Sequence, residues 1–394
     1  MRRVAIGLQD FADVRKNNYF YIDKTPFIKD WWESGDSVTL IARPRRFGKT
    51  LNMSMLDYFF SLKHAGRSEL FEGLEIWKDE KYRALQGTYP VINLSFAEIM
   101  EDNYKAAEEK IKQQIVNIYK EYDFLLQNDK TMQSLSVNMS TVEATAALCC
   151  LSRVLHRYYG KKVIIILNGY DMPIRSAYRY GYCKEMLYFM RSLFLSTFKT
   201  NTDLERGIIA GVMNFNMIPL VCEGGNFKTI TAFSGEYAGF FGFNEKEVLN
   251  ALEEYGYEKE REKVKDWYGG FSFGKSNNLY NPWSVVNFLA EGNLNNYWIS
   301  DEDMWITKLL NEAGHDLKDS LGKLVDGEKI LCDINEYGEY DLLIRNSTSI
   351  WSFLLDNGYL KIVGRETDND WWEMYELALT NYEVRKKIFK MMNF

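Results

Sequence analysis

Short, mainly apolar runs alternate with longer stretches of helical periodicity through roughly the first 240 residues. The runs Ser37-Val-Thr-Leu-Ile-Ala42, Pro90-Val-Ile-Asn-Leu-Ser-Phe96, Val163-Ile-Ile-Ile-Leu167 and Gly207-Ile-Ile-Ala-Gly-Val212 are compact and rich in β-branched residues, the pattern of buried strands. Directly after the first run and a short basic turn, Leu51, Met55, Leu56 and Phe59 recur at helical spacing. Amphipathic periodicity also predicts helices over about 104–128, 142–159 and 183–199. Strands that are apolar throughout and separated by helices imply an α/β fold, a parallel sheet covered by helices on both faces.

Past residue 240 the pattern changes. Asn244 precedes a helical stretch to Tyr255, and Asn281-Pro282 opens another to Ala290, both with N-cap signals. The last third offers only short strand candidates, at Lys329–Leu331, Leu342–Ile344 and Tyr359–Val363, before an apolar helical pattern from Glu383 to Phe394. The expected organisation is an α/β domain over 1–240, a mainly helical, lid-like domain over 241–320 and a small α+β region over 321–394.

Composition narrows the class. The 394 residues are 46% hydrophobic and 26% charged with only 6 prolines, which describes a globular chain. A net charge of −7 gives no support to nucleic-acid binding. The N-terminus lacks the apolar run of a signal peptide, and no stretch is apolar enough to cross a membrane, so a cytoplasmic protein is expected. Five cysteines and three histidines show no metal-ligand spacing, and buried free thiols are expected.

The turn after the first strand reads Arg43-Pro44-Arg45-Arg46-Phe47-Gly48-Lys49-Thr50. A phosphate-binding loop of the Walker A kind needs backbone amides open to phosphate oxygens, a lysine for the β and γ phosphates and a hydroxyl for Mg²⁺. Gly48, Lys49 and Thr50 supply these between a strand and a helix, although Arg43 stands where the first glycine of GxxxxGK[ST] belongs. The cofactor-binding candidates are Arg43, Arg45, Arg46, Phe47, Gly48, Lys49, Thr50 and Leu51. For the three arginines a phosphate or acidic-partner contact is weighed against a solvated basic turn. Tyr19, Tyr21, Asp23 and Lys24 are weighed as part of an adenine pocket or as packing against the sheet.

Ala42 to Leu51 resembles the R-P-R-R-F-G-K-S/T-L loop of a bacterial AAA-ATPase-like family, often fused to a PD-(D/E)XK nuclease-like domain. The likeness extends to Ile6–Phe11, Tyr21–Thr25, Tyr89–Phe96, Phe241–Phe243, Glu247-Val248, Trp267–Gly274, Tyr280–Val285, Asn357–Leu360 and Leu377–Val384. It implies a P-loop NTPase-type sheet and ATP with Mg²⁺ as ligands, and arginine at the first loop position is the family's own usage. The nuclease-like part would follow the position where this chain ends, and no D…(D/E)xK constellation stands in for it.

Against the family pattern the hydrolytic groups are altered. A strand ending close to D-E-Y-D, which supplies the Walker B acids, here ends Asn168-Gly169-Tyr170-Asp171. The arginine of a T-G-V-x-R motif is replaced by Asn214 in Ala210-Gly-Val-Met-Asn214, and Gly269 stands where an Asp is usual. Thr50 and Asp171 are left as candidate Mg²⁺ contacts, with a cap or turn role for Asp171 as its alternative. The expectation is an ATP-binding pseudo-ATPase or nucleotide-dependent switch with a weakened Mg²⁺ site, accompanied by a protein partner or self-association. Its alternatives are a slow Mg²⁺-dependent ATPase completed by a partner or oligomer, and an interaction scaffold that no longer binds nucleotide.

Overall fold

A computed structural model describes residues 1–126, 137–213, 227–298, 306–307, 310, 314–334, 347–367 and 373–392. Its centre is a five-stranded sheet of β1 (Val38–Ala42), β2 (Val91–Ser95), β3 (Val163–Asn168), β4 (Leu204–Gly211) and β5 (Phe227–Ile230). The order is β2-β3-β4-β1-β5, and every pairing is parallel. All residues of β1 and β3 are buried. Alternate side chains of β3 enter opposite cores: Val163, Ile165 and Leu167 join one cluster, Ile164 and Ile166 the other. That is the two-residue period of a strand covered on both faces.

The four strands expected from sequence are present, and β5 is an addition, since Phe-Lys-Thr-Ile alternates too weakly to announce a strand. Helices Tyr104–Glu121, Thr141–Tyr159 and Cys183–Phe194 occupy the expected stretches. A Ser140–Glu143 capping box opens the second and left-handed Gly160 closes it. The third continues through a π turn at Leu195–Lys199.

Helices Glu245–Tyr255 and Pro282–Glu291 form as the caps predict, with Asn244 and Asn281 accepting from the first-turn amides. Together with helix Arg261–Tyr268 they enclose a separate small core, which Val4 and Phe20 of the N-terminal segment also pack against. A hairpin of β6 (Phe271–Phe273) and β7 (Ser276–Leu279) follows Arg261–Tyr268. Further on, β8 (Ile330–Cys332), β9 (Leu360–Thr367) and β10 (Glu373–Leu379) make an antiparallel sheet in the order β8-β10-β9. The expected strand at Leu342–Ile344 lies outside the described residues. Leu360, Leu377, Val384 and Ile388 from this last region belong to the same core cluster as one face of the central sheet.

Candidate functional site

The C-terminal ends of parallel strands form one edge of the sheet, where ligands of open α/β folds collect. On that edge β1 runs into the Arg43–Gly48 loop, and Gly48, at φ +75°, caps the helix Lys49–Phe60. Only glycine adopts that left-handed turn without strain, and the turn leaves the first helical amides facing the loop. Lys49 Nζ donates to the carbonyls of Arg43 and Pro44 at 2.8 and 2.6 Å, so the lysine lies under the loop. Thr50 Oγ1 accepts from Asn168 Nδ2, at the end of β3, across 3.2 Å. The expected lysine, hydroxyl and strand-end residue therefore share one place.

A cavity of about 340 Å³ opens beside them. Gly48, Lys49, Thr50 and Leu51 form one wall; the N-terminal segment supplies Ala5, Gly7, Leu8 and Gln9, and helix Pro282–Glu291 supplies Pro282, Trp283 and Val286. Arg46, exposed and at φ +68°, stacks its guanidinium 3.7 Å from the Trp283 ring centre and so joins the loop to that helix. The residues weighed for an adenine pocket lie elsewhere. Tyr19 packs against one face of the core, Tyr21 Oη bonds Met55 Sδ, and Asp23 holds the amides of Thr25 and Glu75. Lys24 pairs with Glu247 at 2.6 Å, fastening the N-terminal segment to helix Glu245–Tyr255. Packing is thus their role, and the cavity instead meets the segment just before them.

Two loop candidates are corrected. Arg43 is fully buried rather than turned to phosphate or solvent. Its guanidinium donates to the carbonyls of Thr231, Ser234 and Glu236 past the end of β5, and stacks 4.3 Å from the Phe273 ring centre. Phe47 is equally buried, edge-on to Phe271 and Phe273 with ring centres 4.8 and 5.7 Å away. The two side chains anchor the loop to the β6–β7 hairpin, and only the backbone of Phe47 is left for a ligand. Nothing in the spacing of the loop joins it to a hairpin over 220 residues away; the resemblance at Trp267–Gly274 marked the segment without its purpose.

Arg45 is held from another side. Its carbonyl accepts from the Trp298 indole at 3.2 Å, and Trp298 is fixed by Glu383, which takes the amides of Tyr297 and Trp298 at 2.6 and 2.8 Å. Lys387, on the same helix Tyr382–Met392, donates to the Trp298 carbonyl at 2.8 Å. Glu383 is nearly inaccessible, and burial pushes its carboxyl up to about 6. Sequence reasoning placed neither Trp298 nor Glu383 at the loop, since a lone Trp or Glu carries no local signal.

The strand end differs from a simple loss of two acids. Gly169 sits at φ +69°, and a Cβ there would lie 2.6 Å from the Cα and N of Ala97. Its amide donates to the Ala210 carbonyl at 2.7 Å. The backbone has closed where the second acid would stand. Asp171 is 1% exposed, and its Oδ2 accepts from the amides of Val212 and Met213 at 3.1 and 3.4 Å, which clamps the end of β4 to the turn after β3. Gly269 is likewise confined, its Cβ position being 2.7 Å from the Lys265 carbonyl oxygen. Asn214 lies outside the described residues. Among the described residues no group of three or more His, Cys, Asp or Glu is placed to hold a metal. Cys149, Cys150, Cys183 and Cys332 are free thiols, half-buried rather than buried. No described helix is long and apolar enough to cross a membrane.

The AAA-ATPase-like family, described as predicted AAA-ATPase, matches residues 5–221. An uncharacterized protein in the vnfD 5′ region of Azotobacter chroococcum mcd 1 is 26% identical over 300 residues, or 75% of this chain. The chain spans about half that relative's length, 54%. Among solved structures, a Walker-type ATPase of Pyrococcus abyssi aligns over 93% of this chain and 94% of its own, with 12% identity and a TM-score of 0.46. With more than half its length matched, and a phosphate-type loop between β1 and its helix, this chain belongs to the AAA-ATPase-like family.

Proposed function

We propose that the protein binds ATP in the cavity beside Gly48, Lys49 and Thr50 and hydrolyses it very slowly or not at all, serving as a nucleotide-dependent switch. The observation that carries the reading is the strand end: Asn168 meets Thr50 through a neutral amide, and Gly169 is folded where no side chain fits. The cavity volume falls within the roughly 300–1,000 Å³ of small-molecule sites. A ligand in it touches both the sheet domain and helix Pro282–Glu291, so binding energy is available to hold the two together. For Mg²⁺ the fit is poorer. Thr50 offers a hydroxyl and Asn168 an amide, while the Asp171 carboxylate is already engaged by strand-end amides. The free thiols fit a reducing, cytoplasmic setting.

Reinstating the acids one at a time separates loss of charge from loss of geometry. Asn168→Asp is expected to fold normally and strengthen Mg²⁺-dependent ATP binding, with phosphate release still near background. Gly169→Glu is expected to lower stability by more than about 1 kcal/mol, from the left-handed backbone and the contact with Ala97, without restoring turnover. Urea unfolding and a phosphate-release assay measure both. Rapid turnover in Asn168→Asp alone would sink the view that the second position matters.

Lys49 gives a pH signature. Burial lowers its ammonium to about 7, with Arg45, Arg175 and Arg43 adding to the shift and Asp171 opposing it. Bound polyphosphate favours the charged form, so Lys49 takes up a proton on binding whenever pH exceeds its free value. Affinity for ATP is therefore expected to fall as pH rises from 7 to 9, by up to roughly tenfold per unit. Calorimetry in buffers of different ionisation enthalpy reads the proton uptake directly; no uptake at pH 8 contradicts the assignment.

A further inference from the structure

The N-terminal segment passes along the cavity as a strap tied at both ends. Before it, Arg2 pairs with Glu254 at 2.6 Å and the Arg3 carbonyl accepts from the Phe20 amide at 2.9 Å. After it, Asp10 caps helix Phe11–Lys16 and accepts from Tyr58 Oη at 3.1 Å, while the Phe11 amide donates to Ser54 Oγ at 3.0 Å. Ser54 stands one turn past Thr50 on the helix that Gly48 caps, so the far end of the strap runs beside the start of that helix. Between the ties, the backbone of Ala5–Gln9 makes no hydrogen bond to another described residue, and Ala5, Gly7, Leu8 and Gln9 line the cavity. Polar groups held in place but left unpaired are open to a ligand at little ordering cost.

The lining is divided by chemistry. Lys49, Thr50 and the amides opened by Gly48 make one side polar, whereas Leu8, Leu51, Pro282 and Val286 are apolar. Among the described lining residues Gln9 carries the only side-chain amide. That side chain is exposed and has no hydrogen-bond partner among the described residues. A primary amide matches the N6/N7 edge of adenine, Oε1 accepting from the exocyclic N–H and Nε2 donating to the ring nitrogen. Guanine shows two acceptors on the same edge and leaves Oε1 unpaired. We propose that Gln9 is the specificity-determining residue of the site: the base lies against Leu8, Leu51, Pro282 and Val286 and turns its edge to Gln9, so that the cavity selects a 6-aminopurine nucleotide. The proposal rests on the nucleotide-binding reading above and adds to it where the base sits and which side chain reads it.

Calorimetric titration of the full chain and of Gln9→Leu with ATP, GTP and inorganic tripolyphosphate tests it. Wild type is expected to prefer ATP to GTP by about tenfold or more, and Gln9→Leu to weaken ATP about tenfold, the effect of one or two lost hydrogen bonds. GTP and tripolyphosphate are expected to stay within about threefold of their wild-type values, since neither draws on both halves of the amide. Gln9 is exposed, so the unliganded melting temperature of the variant is expected to match wild type. Unchanged ATP affinity in Gln9→Leu, an equal loss for tripolyphosphate, or wild-type binding of GTP as tight as that of ATP overturns the proposal and leaves the nucleotide site standing. Absence of binding of both ATP and tripolyphosphate to wild type overturns the nucleotide-binding reading itself.

Discussion

Arg43→Gly, the substitution that restores the usual first glycine of a phosphate loop, is expected to destabilise the protein by at least about 3 kcal/mol. The side chain is fully buried and its guanidinium is the hydrogen-bond donor to the carbonyls of Thr231, Ser234 and Glu236. The Thr231 carbonyl keeps the Ser234 amide, while those of Ser234 and Glu236 lose their donor at about 1–3 kcal/mol each, and the space beside Phe273 becomes a cavity. Burial already lowers the guanidinium's pKa to about 9, so its carbonyl partners offset a real desolvation cost. Arg43→Lys retains the charge but reaches fewer of these carbonyls, and an intermediate loss is expected. Shifts in the urea midpoint, without ligand, decide the matter. A glycine variant as stable as wild type would mean the arginine does not brace the loop.

Lys49→Ala carries the second large effect, on ligand binding. The lysine ammonium is the positive group nearest the loop carbonyls, at 2.6 and 2.8 Å, and lines the cavity with Gly48 and Thr50. Its two or three charge-assisted contacts to phosphate are worth about 1.5–3 kcal/mol each, so ATP affinity is expected to fall ~100-fold or more. Thermal stabilisation by ATP disappears with it. The unliganded melting temperature is expected to fall somewhat as well, because the carbonyls of buried Arg43 and Pro44 lose this donor, so the ATP-dependent shift is read against each protein's own unliganded value. A variant that keeps its ATP-dependent stabilisation places the nucleotide elsewhere.

The two predictions divide the loop into a bracing half and a binding half, a division local sequence does not contain. The strands at 37–42, 163–167 and 207–212 were legible because burial on both faces forces nearly unbroken apolar runs, that at 90–96 was legible from its compact apolar pattern despite Asn93 and Ser95, and Asn244 and Asn281 announced their helices through cap chemistry. Lys49 and Thr50 stood out because a phosphate site would need those groups at fixed spacing after a strand, and both line the cavity. Arg43 and Phe47 were misjudged because their partners, Phe271 and Phe273, come from a distant hairpin, and a basic or aromatic loop residue looks alike whether it faces solvent or core. Trp298 and Glu383 escaped for the same reason. The Asn168-Gly169 change was visible as a departure from the family pattern. Its backbone consequence, a left-handed Gly169 against Ala97, was not, since glycine in a sequence does not say which of its conformations it takes.

The coupling through Trp298 gives the last third of the chain a place in this account. Glu383 and Lys387 fix Trp298, and Trp298 holds the Arg45 carbonyl, so helix Tyr382–Met392 and the phosphate loop share one hydrogen-bonded path. Lys24–Glu247 and Arg2–Glu254, at 2.6 Å each, tie the N-terminal segment over the cavity to helix Glu245–Tyr255 in a similar way. A ligand that orders either wall meets elements already fastened to the rest of the molecule, which is the physical requirement for a binding event to be felt at a distance.

The central claim is a nucleotide site whose hydrolytic half is missing, and one paired measurement tests it most directly: calorimetric binding of ATP together with phosphate release from the same wild-type sample. Saturable binding with phosphate release indistinguishable from a Lys49→Ala control is the predicted result. Lys49-dependent turnover at the roughly 1 s⁻¹ or faster of ordinary enzymes, or a flat titration, would contradict it.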